Sequence, residues 1–217
     1  MSLDEYLKLA QIGFYVTAGS VAVLTYIKAK NGLLNAVNTE YKKRVMDRLA
    51  EVSRELLAEY DPESPKHWSK VDSVREVLAR LHENVVPHKE EILQSGKMWP
   101  GIPISSKEQE LYRSVAVLRS DPFILRHIRD RLVDFFENRA NVMTQVYCEA
   151  IRTYAEGLGK GKYWDTLEEN HGWLHNQILA ELRKRGCGIE QLEVEVHGLR
   201  NSIQDYLESF DPIRRKS

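Results

Sequence analysis

From residue 9 to residue 27 the chain carries no charge, and Ile12, Phe14, Val16, Val21, Val23, Leu24 and Ile27 lie within that run. About 20 residues in a helix cross a hydrocarbon core of ~30 Å, so the run predicts a transmembrane helix. Gln11, Thr17, Ser20, Thr25 and two glycines dilute it. Beyond it the pattern changes to a stripe, with apolar residues at Leu34, Val37, Tyr41, Val45, Leu49, Val52, Leu56 and Tyr60. Steps of three or four describe one face of an amphipathic helix, which Asp61-Pro62 and Ser64-Pro65 end. If Asn31-Gly32 leaves the chain unbroken, span and stripe form one helix of about 55 residues, about 80 Å long.

The remaining chain repeats the helical period. A second helix is expected over 66–94, with Trp68, Val71, Val74, Leu78, Leu81 and Val85 inward, and with an interruption at Pro87. A loop over 96–103 follows. Ser105 and Glu108 have capping-box spacing and predict a short helix to about Arg119. Asp121-Pro122 reads as an N-cap followed by proline at the first helical position. The helix after it carries Ile124, Ile128, Leu132, Phe135, Val142, Val146, Ala150, Tyr154 and Leu158, and Gly157, Gly159 and Gly161 should close it. A helix over about 163–185 has Trp164, Leu167, Leu174, Ile178 and Leu182 inward and stops at Gly186-Cys187-Gly188. The last helix places Ile189, Leu192, Val196, Leu199, Ile203, Tyr206 and Phe210 at alternating steps of three and four. That is the spacing of a coiled-coil seam, to be filled by the chain's own bundle or by another copy. No strand-like alternation persists anywhere. The expected class is all-α: an N-terminal transmembrane helix, residues 1–30, continuing into a bundle of about five long amphipathic helices, residues 31–217.

Charge sharpens this picture. Charged residues make up 29% of the chain, yet the net charge is -1, so there is no general electrostatic attraction for nucleic acid. Membrane lipid, other copies of the chain and a protein partner are the expected contacts. Asp4 and Glu5 precede the span, and Lys28, Lys30, Lys42, Lys43 and Arg44 follow it. A cleaved signal peptide has a basic start instead. The positive-inside rule puts the N-terminus outside and the rest in the cytoplasm, at the inner membrane of a cell. Cys148 and Cys187 are not closely spaced and suit a reducing compartment. A second reading makes residues 9–27 the core helix of a soluble adaptor.

Within the span, Ala18 and Ala22 form a small-xxx-small pair, Gly19 lies beside them, and Gln11 and Thr17 are polar. Small residues let helix backbones approach in lipid, and polar ones can hydrogen-bond across the pair. A polar stripe repeated on several copies could also line a water-filled path. The first functional expectation is therefore non-enzymatic: an oligomeric membrane scaffold or a pore-type effector. Small prokaryotic immunity effectors share this layout of one span and a helical domain.

Two constellations carry candidate chemistry, and no cofactor is expected. Glu168, His171 and His175 have helix-face spacing and could ligate a metal. Arg75 and His82, with six residues between them, resemble the Arg-x4–6-His element of HEPN-type ribonucleases. That resemblance implies a membrane-tethered enzyme in which His82 moves protons and Arg75 holds a phosphate. Glu76 departs from it, because that family has a small polar residue or His there. The run from Gly157 to Lys162 lacks the phosphate-loop pattern and reads as a turn. Arg113, Arg119, Arg126, Arg129, Arg131 and Arg139 are interleaved with acids and read as a solvated face.

Overall fold

The computed structural model describes residues 3–98 and 101–210. Trp99 and Pro100 of the expected loop, and the side chains of Glu5 and Leu9 at the start of the span, lie outside the described residues. Helix α1 runs unbroken from Leu3 to Ala58. Asn31-Gly32 does not interrupt it, since one glycine inside a long helix costs only about 1 kcal/mol. The chain divides into two compact units, residues 1–47 and 48–217, later than the expected division after residue 30.

In the first unit the described apolar side chains are largely uncovered, and burial begins at Val45 near its end. Phe14 is 69% exposed, Val16 63% and Leu24 65%, and the most apolar window of the helix is 0% buried. Residues 11–27 are therefore not buried within this chain, which a core helix of a soluble adaptor would require. Leu34, Val37 and Tyr41 of the predicted stripe are exposed too.

The second unit is a helical bundle. Its helices are the end of α1, then α2 (Ser73–Val85), α3 (Lys89–Ser95), α4 (Ser106–Arg119), α5 (Arg126–Gly159), α6 (Asn170–Lys184) and α7 (Ile189–Glu208). No strand occurs among the described residues, and the all-α class holds. Helix α5 is the central element, packing against α3, α4, α6 and α7, while α2 packs against α4 and α6. Its Ile128, Leu132, Ile151, Tyr154 and Leu158 are fully buried. Leu49, Val52 and Leu56 of α1 are also buried. The α7 stripe is consumed inside this bundle. Leu192, Val196, Leu199 and Ile203 are buried, with Ile189 and Tyr206 half-buried at its ends, so the seam belongs to the chain's own core.

Several boundaries differ from expectation, including the start of the predicted 163–185 helix, which is a 3-10 turn at Trp164–Thr166 followed by α6 from Asn170. The predicted 66–94 helix is broken into a short 3-10 turn at Trp68–Lys70, then α2, a second 3-10 turn at Val86–His88, and α3. Pro87 supplies the second break, and the side chain of Asp72 caps α2 by accepting from the Arg75 amide. Trp68 and Val71 are consequently exposed rather than inward. Asp121 does not cap α5. Its carboxylate accepts from the Phe123 amide at 2.9 Å and from Arg48 Nε at 2.7 Å, and the helix starts at Arg126. Gly157 lies inside α5 instead of ending it, because the Tyr163 ring packs there. A Cβ on Gly157 would fall 2.2 Å from Tyr163 Cε2. The Ser105 cap of α4 matches expectation, accepting from the Glu108 amide at 3.2 Å. Glu108 itself is buried, and its carboxylate accepts from the Thr144 hydroxyl on α5.

Candidate membrane span and candidate metal centre

One helix, α1, is long and apolar enough to cross a membrane. The polar residues that dilute its span are largely satisfied by the helix itself. Thr17 Oγ1 donates to the Gly13 carbonyl, Ser20 Oγ to Val16 and Thr25 Oγ1 to Val21, each at 2.8 Å. A hydroxyl bonded to the i−4 carbonyl reaches lipid without an unsatisfied donor, so these residues add little to the cost of insertion. They also leave few side-chain donors to line water. Gln11 reaches Tyr15 Oη at 3.4 Å. Ala18, Gly19 and Ala22 lie in the same helix, and Gly19 has open space around it.

The second site joins two helices that are about 100 residues apart in sequence. His171 and His175 stand one turn apart on α6, with ring centroids 5.4 Å apart. Both face Asp72, the residue that caps α2. His171 Nε2 lies 2.9 Å from Asp72 Oδ2, and His175 Nδ1 lies 3.6 Å from Oδ1. Neither nitrogen has a hydrogen-bond partner, although both are shielded from solvent. One donor atom from each of the three residues lies within 4.8 Å of the other two. Burial alone would raise the Asp72 carboxyl, but the Arg75 amide and the two facing imidazoles outweigh it and hold the group below its ordinary value. His175 also lines a cavity of about 310 Å³ with Val71, Ser73, Tyr147 and Leu179.

Glu168, the acid expected beside the two histidines, is not in this cluster. Helix α6 begins only at Asn170, so Glu168 lies in the preceding turn and is exposed. The i,i+3 relation to His171 assumed a helix that has not yet started. Asp72 replaces it. An aspartate before the apolar period of α2 signals a helix cap in the sequence, but nothing in local spacing connects it to residues 171 and 175.

A buried polar network holds α6 in place. Asn170 Nδ2 donates to Tyr154 Oη at 3.0 Å and to the Tyr163 carbonyl at 2.9 Å. Its Oδ1 accepts from Thr166 Oγ1 at 3.0 Å. Tyr154 stacks on Tyr163, with centroids 5.5 Å apart. His82 Nε2 lies 2.9 Å from Tyr154 Oη. Since Asn170 donates to that oxygen, the phenol proton is available for His82, which accepts it as a neutral ring. Burial lowers the His82 pKa, in keeping with that assignment. Arg75 is 74% exposed, with Nε 3.4 Å from Asp72 Oδ2. His82 is thus engaged in the core and Arg75 at the α2 cap, an arrangement that does not favour the ribonuclease expectation.

The arginines of α4 and α5 are mostly paired. Arg119 meets Glu137 at 2.7 Å, and Arg131 donates to Ser202. The buried Arg139 holds Glu59 through contacts of 2.5 and 2.8 Å. Residues 157–159 are the end of α5 and 160–162 the turn out of it, with Gly161 at φ +78°. In comparisons with known protein families, curated proteins and solved structures, nothing matches the chain.

Proposed function

We propose that the chain is a single-pass membrane protein whose N-terminal helix anchors it and associates with other copies, presenting the helical bundle as a scaffold on the cytoplasmic side of the inner membrane. The observation that carries this reading is the uncovered apolar stretch of α1, with Phe14, Val16 and Leu24 all more than 60% exposed. Apolar area removed from water is worth roughly 25 cal/mol per Å², and lipid provides that removal along the whole span. The hydroxyls turned back onto their own backbone fit a lipid environment better than a water-lined path. Self-association rather than a pore is therefore the preferred role. The acidic start and the basic residues from Lys28 to Arg44 support the orientation. Ala18 and Ala22, with Gln11 two further turns away, supply the contact face.

The test is to express the full chain, separate membrane from soluble fractions and measure the mass of the detergent-extracted particle. A membrane-extracted oligomer that Ala18→Leu with Ala22→Leu dissociates is the expected result. A chain that is monodisperse without detergent overturns the anchor. Ion flux through liposomes carrying the protein would transfer the reading to a pore.

A further inference from the structure

We propose that Asp72, His171 and His175 bind one divalent transition-metal ion of the zinc class, with three protein ligands and one coordination position left to water, clamping α6 to the N-terminus of α2.

The geometry carries this. In a tetrahedral zinc site with bonds of about 2.05 Å, neighbouring donor atoms stand about 3.3 Å apart. The imidazoles approach the Asp72 carboxylate to similar distances, His171 to Oδ2 at 2.9 Å and His175 to Oδ1 at 3.6 Å, and one donor atom from each of the three residues lies within 4.8 Å of the other two. The third pair, between imidazoles, is within 4.8 Å. A histidine pair at i,i+4 on a helix presents both nitrogens to one point. The two nitrogens that converge are also the shielded polar atoms left without a partner. Buried polar atoms of that kind are rare and call for an occupant.

The donor set selects the ion. Two imidazoles and one carboxylate suit zinc and its neighbours, whereas calcium and magnesium take oxygen ligands. The carboxylate is already oriented, because Oδ1 accepts from the Arg75 amide at 3.0 Å. Such outer-shell bonds fix a ligand for its metal. The Arg75 guanidinium lies on an exposed side chain, so its charge is screened by water and its position yields to an incoming cation. The competing use of the trio is a plain ion pair between Asp72 and protonated imidazoles. The two uses differ in saturable Zn²⁺ binding, which only the metal site provides.

The clamp is independent of membrane anchoring, so the two readings fail separately. The full-length, tag-free protein is stripped with EDTA in detergent, freed of chelator and titrated with Zn²⁺ by calorimetry and with Co²⁺ by visible absorption. The expected result is one ion per chain, intense tetrahedral Co²⁺ bands and a raised Tm with Zn²⁺. Asp72→Asn keeps the helix cap and, like His175→Asn, should weaken Zn²⁺ by more than about 100-fold, because losing an outer-shell partner alone costs about 10- to 100-fold. Glu168→Gln should bind as the parent does. Absence of saturable Zn²⁺ binding overturns the site, as does affinity retained in Asp72→Asn. Should a variant fail to fold, the parent's Co²⁺ spectrum decides: octahedral or absent bands overturn the proposal.

Discussion

The two units of this chain treat the same kinds of residue in opposite ways. From Leu7 to Val37 the described leucine, valine and phenylalanine side chains are exposed, whereas in residues 48–217 the same residue types make up most of the core. Even one stripe on one helix divides this way, since Leu34 and Val37 are exposed while Leu49 and Val52 are buried. Periodicity is blind to that difference. It reports that a face is apolar, and not what covers it. In the bundle the cover is α5 and its neighbours; in the N-terminal unit the length of the uncharged run points to lipid.

The largest expected effect breaks the comparison on the membrane side. Val16→Arg with Val21→Arg should release the protein into the soluble fraction, because each arginine near the centre of a span costs about 2.5–3.5 kcal/mol. Fractionation followed by immunoblotting reads the outcome, and retention at the membrane would assign these side chains to another environment. Next comes a paired truncation that sharpens the contrast. Leu132→Ala removes a fully buried side chain and should cost about 2–5 kcal/mol in denaturant unfolding of the bundle. Leu24→Ala should change the same transition by less than about 0.5 kcal/mol. Equal effects would unite the two units energetically.

Acid separates the units by a different route. Glu59 is partly buried, which by itself raises its pKa, but Arg139 and Lys107 bring it down to about 2. A folded value below the unfolded 4.5 means that the contribution is complete above pH 4.5 and is lost as the pH falls towards 2. The loss is on the order of 3 kcal/mol. Thermal melts across that window should show a decline that Glu59→Gln flattens, and an unchanged slope in the variant would place the acid sensitivity elsewhere. The smallest effect is in the last turn of α5. Gly157→Ala would press on the Tyr163 ring and should cost about 1–3 kcal/mol. Tyr163→Ala in the same chain should remove most of that penalty.

Helices and stops were legible where the cause is local. The stripes of α2, α5, α6 and α7, the Ser105 cap and the Pro87 break all act within a turn or two of chain. The failures share a cause. Asp121 has the chemistry of a helix cap, but Arg48 lies close enough to engage its carboxylate. Gly157 looks like a stop, yet it is the space that a ring from beyond the turn requires. Of the candidate metal ligands, the histidine pair was readable from i,i+4 spacing, and Asp72 was not, since nothing in sequence relates residue 72 to residue 171.

By itself, then, the sequence determined the all-α class, the long apolar N-terminal helix and the periodic faces of the bundle. Those properties follow from backbone hydrogen bonding within a few residues and from the 3.6-residue period. Only the tertiary structure decided where burial begins along α1, which copy fills the α7 seam, and which acid meets His171 and His175. Each of these depends on surfaces from distant parts of the chain meeting, and it is the packing of α2 against α6 that brings a helix cap to face a histidine pair.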